Sequence, residues 1–206
     1  GHWMGFSRED VANLVYAGLV HDVGKAKVYF ELLSKPGPLD QQEQRMAKVH
    51  VNHSYALLAK NTTVPQVVLE AVFQHHERTD GKGYPRGLKG EEIQTFAKVL
   101  AIADVYDALI SNRYYKKGIS PLKAGEIMMY DMAGSFDLPI LGVLLSKVRE
   151  FMVGEHVLLS NGKKGKIVSF HPFPDMNPVV EIAGGKVLNL GTHRDVDIMR
   201  LVFGHA

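Results

Sequence analysis

His75-His76-Glu77-Arg78-Thr79-Asp80-Gly81-Lys82-Gly83-Tyr84-Pro85 follows directly on the apolar residues Val68, Leu69, Val72 and Phe73. Apolar positions three and four apart predict a helix, and Pro65 fits its first turn. That helix ends on two adjacent imidazoles and a carboxylate. Asp80 to Pro85 is dense in turn residues and reads as a loop. Moving toward the N-terminus, Asp40 to Lys60 reads as one helix with Met46, Val49, His53, Ala56 and Leu57 on a broad apolar side. Lys35-Pro36-Gly37-Pro38 is a break. Ser7 is a good N-cap with Asp10 three residues on, and Val11, Leu14, Val15, Gly18 and Leu19 recur at helical spacing. Moving toward the C-terminus, Phe96 to Ile110, Pro121 to Tyr130 and Leu138 to Met152 each read as helices. The pattern changes near Gly154. His156–Ser160, Lys166–Phe170 and Val179–Ile182 are short β-branched segments, with Asn161-Gly162 and Gly184-Gly185 as hairpin turns. The expectation is a mainly α fold, a helical bundle over residues 1–153, followed by a small antiparallel β appendage over 154–206.

The chain of 206 residues is 46% hydrophobic and 22% charged, the balance of a globular protein. No apolar run approaches the roughly 18 residues a membrane helix needs. The formal charge of +2 offers no polybasic field for polymeric nucleic acid. With no cysteine, any metal must be held by nitrogen and oxygen, and a cytoplasmic location is expected. Ten histidines, several paired with each other or with Asp, make such a site the leading expectation.

Four clusters carry it: His21-Asp22, His50, His75-His76 and Asp104. Each falls on or at the end of a predicted helix. A single His or Asp in such a place is more often a cap or a surface group than a ligand. Asp104 differs, because it follows Val99-Leu100-Ala101-Ile102-Ala103, where an unpaired carboxylate would be costly to bury. Donors from separate helices are how bundles build dinuclear centres. Adjacent His21 and Asp22 cannot point the same way from one helix, so they are expected to serve two metals, or one metal and a neighbouring water.

The same residues carry a family resemblance. His21-Asp22-Val23-Gly24-Lys25 resembles the HDxGK signature of the HD phosphohydrolases. His75-His76-Glu77-Arg78 with Asp80-Gly81-Lys82-Gly83-Tyr84-Pro85 resembles the HHExxDGxGYP signature of the HD-GYP family. Ala103-Asp104 through Leu109, Asn112-Arg113-Tyr114-Tyr115-Lys116, Lys35-Pro36-Gly37 and Gly87–Ile93 also match, so the resemblance covers about residues 7–152.

This resemblance implies an HD-domain helical bundle that hydrolyses cyclic di-GMP, or a related cyclic dinucleotide, usually to pGpG and sometimes onward to GMP. It implies two or three divalent ions, iron or manganese, held by His21, Asp22, His50, His75, His76 and Asp104, with Asp22 bridging. Lys25 would address the scissile phosphate. Gly83, Tyr84, Pro85, Arg113 and Lys116 would contact substrate, Tyr84 facing a guanine or shaping the site and Arg113 and Lys116 holding the non-scissile phosphate or a base edge. Other signalling proteins at the GYP loop and a homodimer are further expected partners. Family members carry one more His upstream of HDxGK. Only 20 residues precede His21 here, so the chain reads as truncated before its first ligand helix. A cyclic dinucleotide sensor or protein-interaction module and an HD nucleotidase are the competing readings.

Overall fold

The computed structural model describes the chain except residues 29–31, 33, 34, 36, 113–116, 194 and 203–206. The expectations for Arg113 and Lys116 therefore lie outside the described residues. Contacts divide the chain into two compact units. The first comprises Gly1–Asp107 with Ala133–Ile140; the second takes Lys117–Met132 and the described residues from Leu141 on.

In the first unit, α1 (Arg8–Val20) starts where Ser7 accepts a hydrogen bond from the Asp10 amide at 3.0 Å. Short α2 (Gln41–Lys48) is opened by a reciprocal cap between Asp40 and Glu43. α3 (His50–Leu58), α4 (Gln66–Gln74) and α5 (Thr95–Ile110) follow. The single helix expected over Asp40 to Lys60 is thus two helices broken at Val49. The Ala47 carbonyl accepts both the Val49 amide and His50 Nδ1, the latter at 2.7 Å, which closes the chain into a tight turn. The break also changes which side is buried. Met46 and Val49 are exposed, and His50, Val51 and Ser54 face inward.

Ala17, Val64, Val68, Leu69, Ala71, Val72, Phe96 and Leu100 form one buried cluster, and Phe6 stacks on Phe96 at 5.5 Å. Each large side chain so buried contributes about 1.5–3 kcal/mol. The turn Val23–Lys27 lies against α3 through Gly24, whose amide donates to Ser54 Oγ at 2.9 Å. A Cβ at Gly24 would run into the His50 carbonyl and the Ser54 amide. HDxGK therefore has glycine at its fourth position because two backbones meet there.

In the second unit, α6 (Pro121–Glu126) begins on a Ser120 cap and loosens into a π-helical turn over Ile127–Asp131. This shortens the helix expected to Tyr130. α7 spans Leu138–Met152. β1 (His156–Leu159), β2 (Lys164–Phe170), β3 (Pro178–Ile182), β4 (Lys186–Asn189) and β5 (Ile198–Leu201) form an antiparallel sheet in the order β4-β3-β2-β1-β5. Gly162, Gly184 and Gly185 have φ of 80°, 82° and 72°, the left-handed turn geometry that glycine adopts freely. The sequence reading missed β4 and β5, which are four residues each and follow no clean alternation. Among the described residues no helix is long and apolar enough to cross a membrane. The architecture is mainly α with a small antiparallel sheet at the C-terminal end of the sequence.

The close approach at Gly24 gives a stability test. Gly24→Ala should lower unfolding stability by about 1–3 kcal/mol through overpacking. Gly18→Ala, where a Cβ meets nothing within 4 Å in the last turn of α1, should be neutral or raise stability by up to about 1 kcal/mol. Urea titration of both variants checks the contrast, and equal effects would refute it.

Candidate metal centre

The ends of helices in the first unit bring the expected donors together. His21 is the residue on which α1 ends, and His75 is the residue on which α4 ends. His50 opens α3, and Asp104 lies inside α5. Because α1 stops at Val20, His21 and Asp22 do not diverge as neighbours on a helix would. Asp22 leaves the helix with φ −99° and ψ 6°, and His21 Nε2 comes within 3.3 Å of Asp22 Oδ2. This corrects the expectation that the pair must point apart. The rings of His75 and His76 likewise lie 4.1 Å apart, just past the end of α4.

Three histidines share one device. Nδ1 of His21, His50 and His75 lies 2.8, 2.7 and 2.6 Å from the carbonyls of Gly18, Ala47 and Val72, each three residues back. A carbonyl only accepts, so Nδ1 carries the proton. In a neutral ring Nε2 then keeps its lone pair and faces inward. Burial holds His50 below the ordinary histidine value and pushes His75 down to about 4. Burial, with the neighbouring His75 and His50, also lowers His76. These rings are neutral at pH 7.

One ligand atom from each of Asp22, His50, His75 and His76 lies within 4.8 Å of the others. Asp22 Oδ1 stands 3.3 Å from His50 Nε2. Asp22 Oδ1, His50 Nε2 and His75 Nε2 are buried and have no hydrogen-bond partner. Two facing acceptors at this distance repel unless a cation lies between them. Atoms bound at roughly 2.1 Å to one first-row ion sit about 3–4.2 Å apart, so the cluster needs only a small contraction to hold one. The donor set is imidazole and carboxylate without sulfur, which suits a divalent transition metal.

His21 and Asp104 adjoin this foursome. His21 Nε2 is 3.8 Å from Asp104 Oδ1. Burial alone would lower His21, but its contacts with Asp104 and Asp22 outweigh that and raise it to about 10. Asp104 is half-buried, and its carboxyl stays below the usual range because hydrogen bonding to His21 overcomes desolvation. Asp22 therefore touches both groups, His50 through Oδ1 and His21 through Oδ2. Lys25 binds Asp22 from the HDxGK turn.

The HD domain family matches residues 2–140. The chain belongs to the HD domain family. It is 36% identical over 166 residues to a cyclic di-GMP phosphodiesterase of Pseudomonas aeruginosa, covering 81% of this chain and 40% of that protein. It is 34% identical to 3'3'-cGAMP-specific phosphodiesterase 2 of Vibrio cholerae, covering 73% and 29%. It is 42% identical to the cyclic di-GMP phosphodiesterase response regulator RpfG of Xanthomonas campestris pv. campestris, covering 55% and 30%. The chain thus spans less than half the length of these relatives. A solved HDG"Y"P protein from Bdellovibrio bacteriovorus shares the fold with a TM-score of 0.58 at 22% identity, over 68% of this chain and 45% of that one.

In this HD domain the glycine-rich loop is tied to the cluster by Glu77. Its buried carboxylate accepts the Arg86 amide at 2.7 Å and the Leu88 amide at 3.0 Å. Hydrogen bonds to a charged group contribute about 1.5–3 kcal/mol each, so Glu77 sets the path of the loop. In the sequence Glu77 carries no assigned role, and its signal is an acid set between the His75-His76 pair and a turn-rich loop. Gly83 allows that path, because a Cβ there would fall on Arg78 N and Glu77 Cα. Tyr84 then lies over His76, with ring centroids 4.6 Å apart and planes at 26°. His76 therefore takes up one face of the ring expected to meet a guanine. Arg78 fixes the turn from below, donating to the carbonyls of His75 and Glu77 at 3.2 and 2.8 Å and covering Phe136.

The opposed histidine shifts give the metal-free HD domain a specific pH response. The unfolded chain protonates His75 near 6.5 and the folded chain near 4. The stability this contributes is full above 6.5 and is lost as pH falls from 6.5 toward 4. His21 behaves oppositely: its contribution is full below 6.5 and is lost as pH rises toward about 10. In chelator-treated protein, His75→Gln should flatten the acid limb of a stability–pH curve and leave the alkaline limb in place. An acid limb equally steep in the variant would show that His75 is not its source.

Proposed function

We propose that this HD domain is a cytoplasmic, metal-dependent phosphodiesterase that opens cyclic di-GMP to linear pGpG, with GMP as the product of a second cut. The observation that carries this reading is the set of buried, partnerless acceptors on Asp22, His50 and His75. The names of the relatives supply the substrate class, since the P. aeruginosa, V. cholerae and X. campestris proteins are all described as phosphodiesterases of cyclic dinucleotides.

His50, His75, His76 and Asp22 would hold one ion. His21 and Asp104 would hold a second, to which Asp22 would also contribute. When bound, two or three iron or manganese ions supply Lewis acidity, lowering the pKa of a water near neutrality and neutralising phosphoryl charge. The protein's own groups do the rest. The back-bonded imidazoles of His50 and His75 keep their lone pairs fixed on the cluster, so little rearrangement is needed when a charge develops there. Lys25 brings an ammonium to the rim of the cluster, where it stabilises negative charge on the phosphate under attack. Burial holds the Tyr84 hydroxyl above its ordinary value, so it remains a neutral donor. Gly83 and Pro85 hold Tyr84 at that rim. Arg113 and Lys116 are kept as anchors for the rest of the substrate.

The test is to load the protein with manganese, or with iron under anaerobic conditions, and separate the products of cyclic di-GMP by chromatography. The expected products are pGpG and GMP. His75→Ala should lose bound metal by elemental analysis and turnover together, the latter on the order of a hundredfold or more. Unchanged metal and turnover would remove His75 from the ligand set, and a metal-replete protein that leaves cyclic di-GMP intact would end the hydrolase reading.

A further inference from the structure

We propose that Lys48 is a further substrate-binding residue that joins Arg113 and Lys116 in gripping the second, uncleaved phosphate of a cyclic dinucleotide; this rests on the phosphodiesterase reading above. Lys48 is the last residue of α2, and the break at Val49 separates it from His50 at the head of α3. Its ammonium stands 5.0 Å from the centroid of the Tyr84 ring. The Tyr84 ring is itself 4.6 Å from His76 and 6.4 Å from His50. A column of side chains therefore runs outward from the donor cluster through Tyr84 to an exposed cation.

Two observations and the chemistry of the substrate give that cation a ligand rather than a purely structural role. First, among the described residues no carboxylate forms an ion pair with it. Lys27, Lys60, Lys89 and Lys163 share this feature, and what sets Lys48 apart is its place over the Tyr84 ring. Second, the ring beneath it restrains a side chain that otherwise carries about 2 kcal/mol of rotamer entropy, so an anion arriving there meets a partly ordered ammonium. Third, the chemistry of the substrate asks for it. A cyclic dinucleotide carries two phosphodiesters on one small ring. With one against the donor cluster and Lys25, the other is held across the ring, outside the buried donors. The exposed end of the Tyr84 column is a cationic position of that kind.

The placement also alters the reading of Tyr84. With His76 stacked on the ring and Lys48 standing over it, a guanine gains a face of Tyr84 only by displacing the ammonium. Tyr84 serves instead as the support that holds Lys48 toward the ligand. Lys48 has no signal in the sequence, since it is one lysine among many on a polar helix. It is found through the Tyr84 contact.

The test separates binding from chemistry. In metal-free protein, where no cleavage intervenes, cyclic di-GMP affinity is measured by calorimetry for the parent, Lys48→Met and Lys48→Arg. Lys48→Met should weaken binding by about tenfold to a hundredfold, and Lys48→Arg should retain most of it. In metal-loaded protein, Lys48→Met should raise KM for cyclic di-GMP by a similar factor. Its kcat, and its hydrolysis of bis(p-nitrophenyl) phosphate, which has one phosphate and no second site to hold, should stay within about twofold. An unchanged affinity in Lys48→Met, or an equal loss on both substrates, would overturn the proposal, as would a parent that fails to bind cyclic di-GMP. A parent that binds cyclic di-GMP through Lys48 yet cleaves neither substrate would instead overturn the phosphodiesterase reading and leave Lys48 as a ligand contact.

Discussion

Lone pairs of nitrogen and oxygen buried without a proton to meet them are the constraint around which the first unit is organised. An orphaned buried acceptor costs about 1–3 kcal/mol, and Asp22, His50 and His75 supply three of them at one point. Such a cluster persists only if the surrounding structure fixes it. That is the work of the carbonyls of Gly18, Ala47 and Val72, which each hold an Nδ1 proton and so aim the opposite nitrogen inward. A helix end is well suited to this, because its last carbonyls lack the i+4 amide partners that the helix interior supplies. The tight turn at Val49 has the same origin, since there the chain gives up helix continuity to present His50.

The glycines of the two signature segments belong to this same construction. Gly24 lets the HDxGK turn lie against the backbone of α3, and Gly83 lets the loop lie against Glu77 and Arg78. In each case a side chain would move a donor-bearing segment away from the cluster. Glu77 then converts closeness into direction, since its carboxylate takes the Arg86 and Leu88 amides and leaves Tyr84 over His76. The donor cluster is thus small, and the residues that hold it in place are spread over several helices and the glycine-rich loop.

Much of this was legible in the sequence, and the failures have physical causes. α5 and α7 were readable because apolar spacing persists over 16 and 15 residues. The donor residues were readable because imidazole and carboxylate in a cysteine-free chain have few other uses in such density. The break at Val49 was not, since no Gly or Pro marks it and its cause is a ring-to-carbonyl bond within the turn. The convergence of His21 with Asp22 was missed for a similar reason: whether α1 continues past Val20 decides it, and helix ends are weakly encoded. β4 and β5 are too short for alternation to register. Glu77 and Lys48 owe their roles to partners that the fold brings near, the Arg86 and Leu88 amides and the Tyr84 ring. Asp104 was expected in an apolar setting, yet it is half-buried and close to His21, where the charge balance is local.

The most direct test of the account is anomalous diffraction from crystals of the manganese-loaded protein. The account requires an ion within about 2.0–2.3 Å of His50 Nε2, His75 Nε2 and Asp22 Oδ1. A strong anomalous peak elsewhere, with these three atoms still unbound, would contradict it.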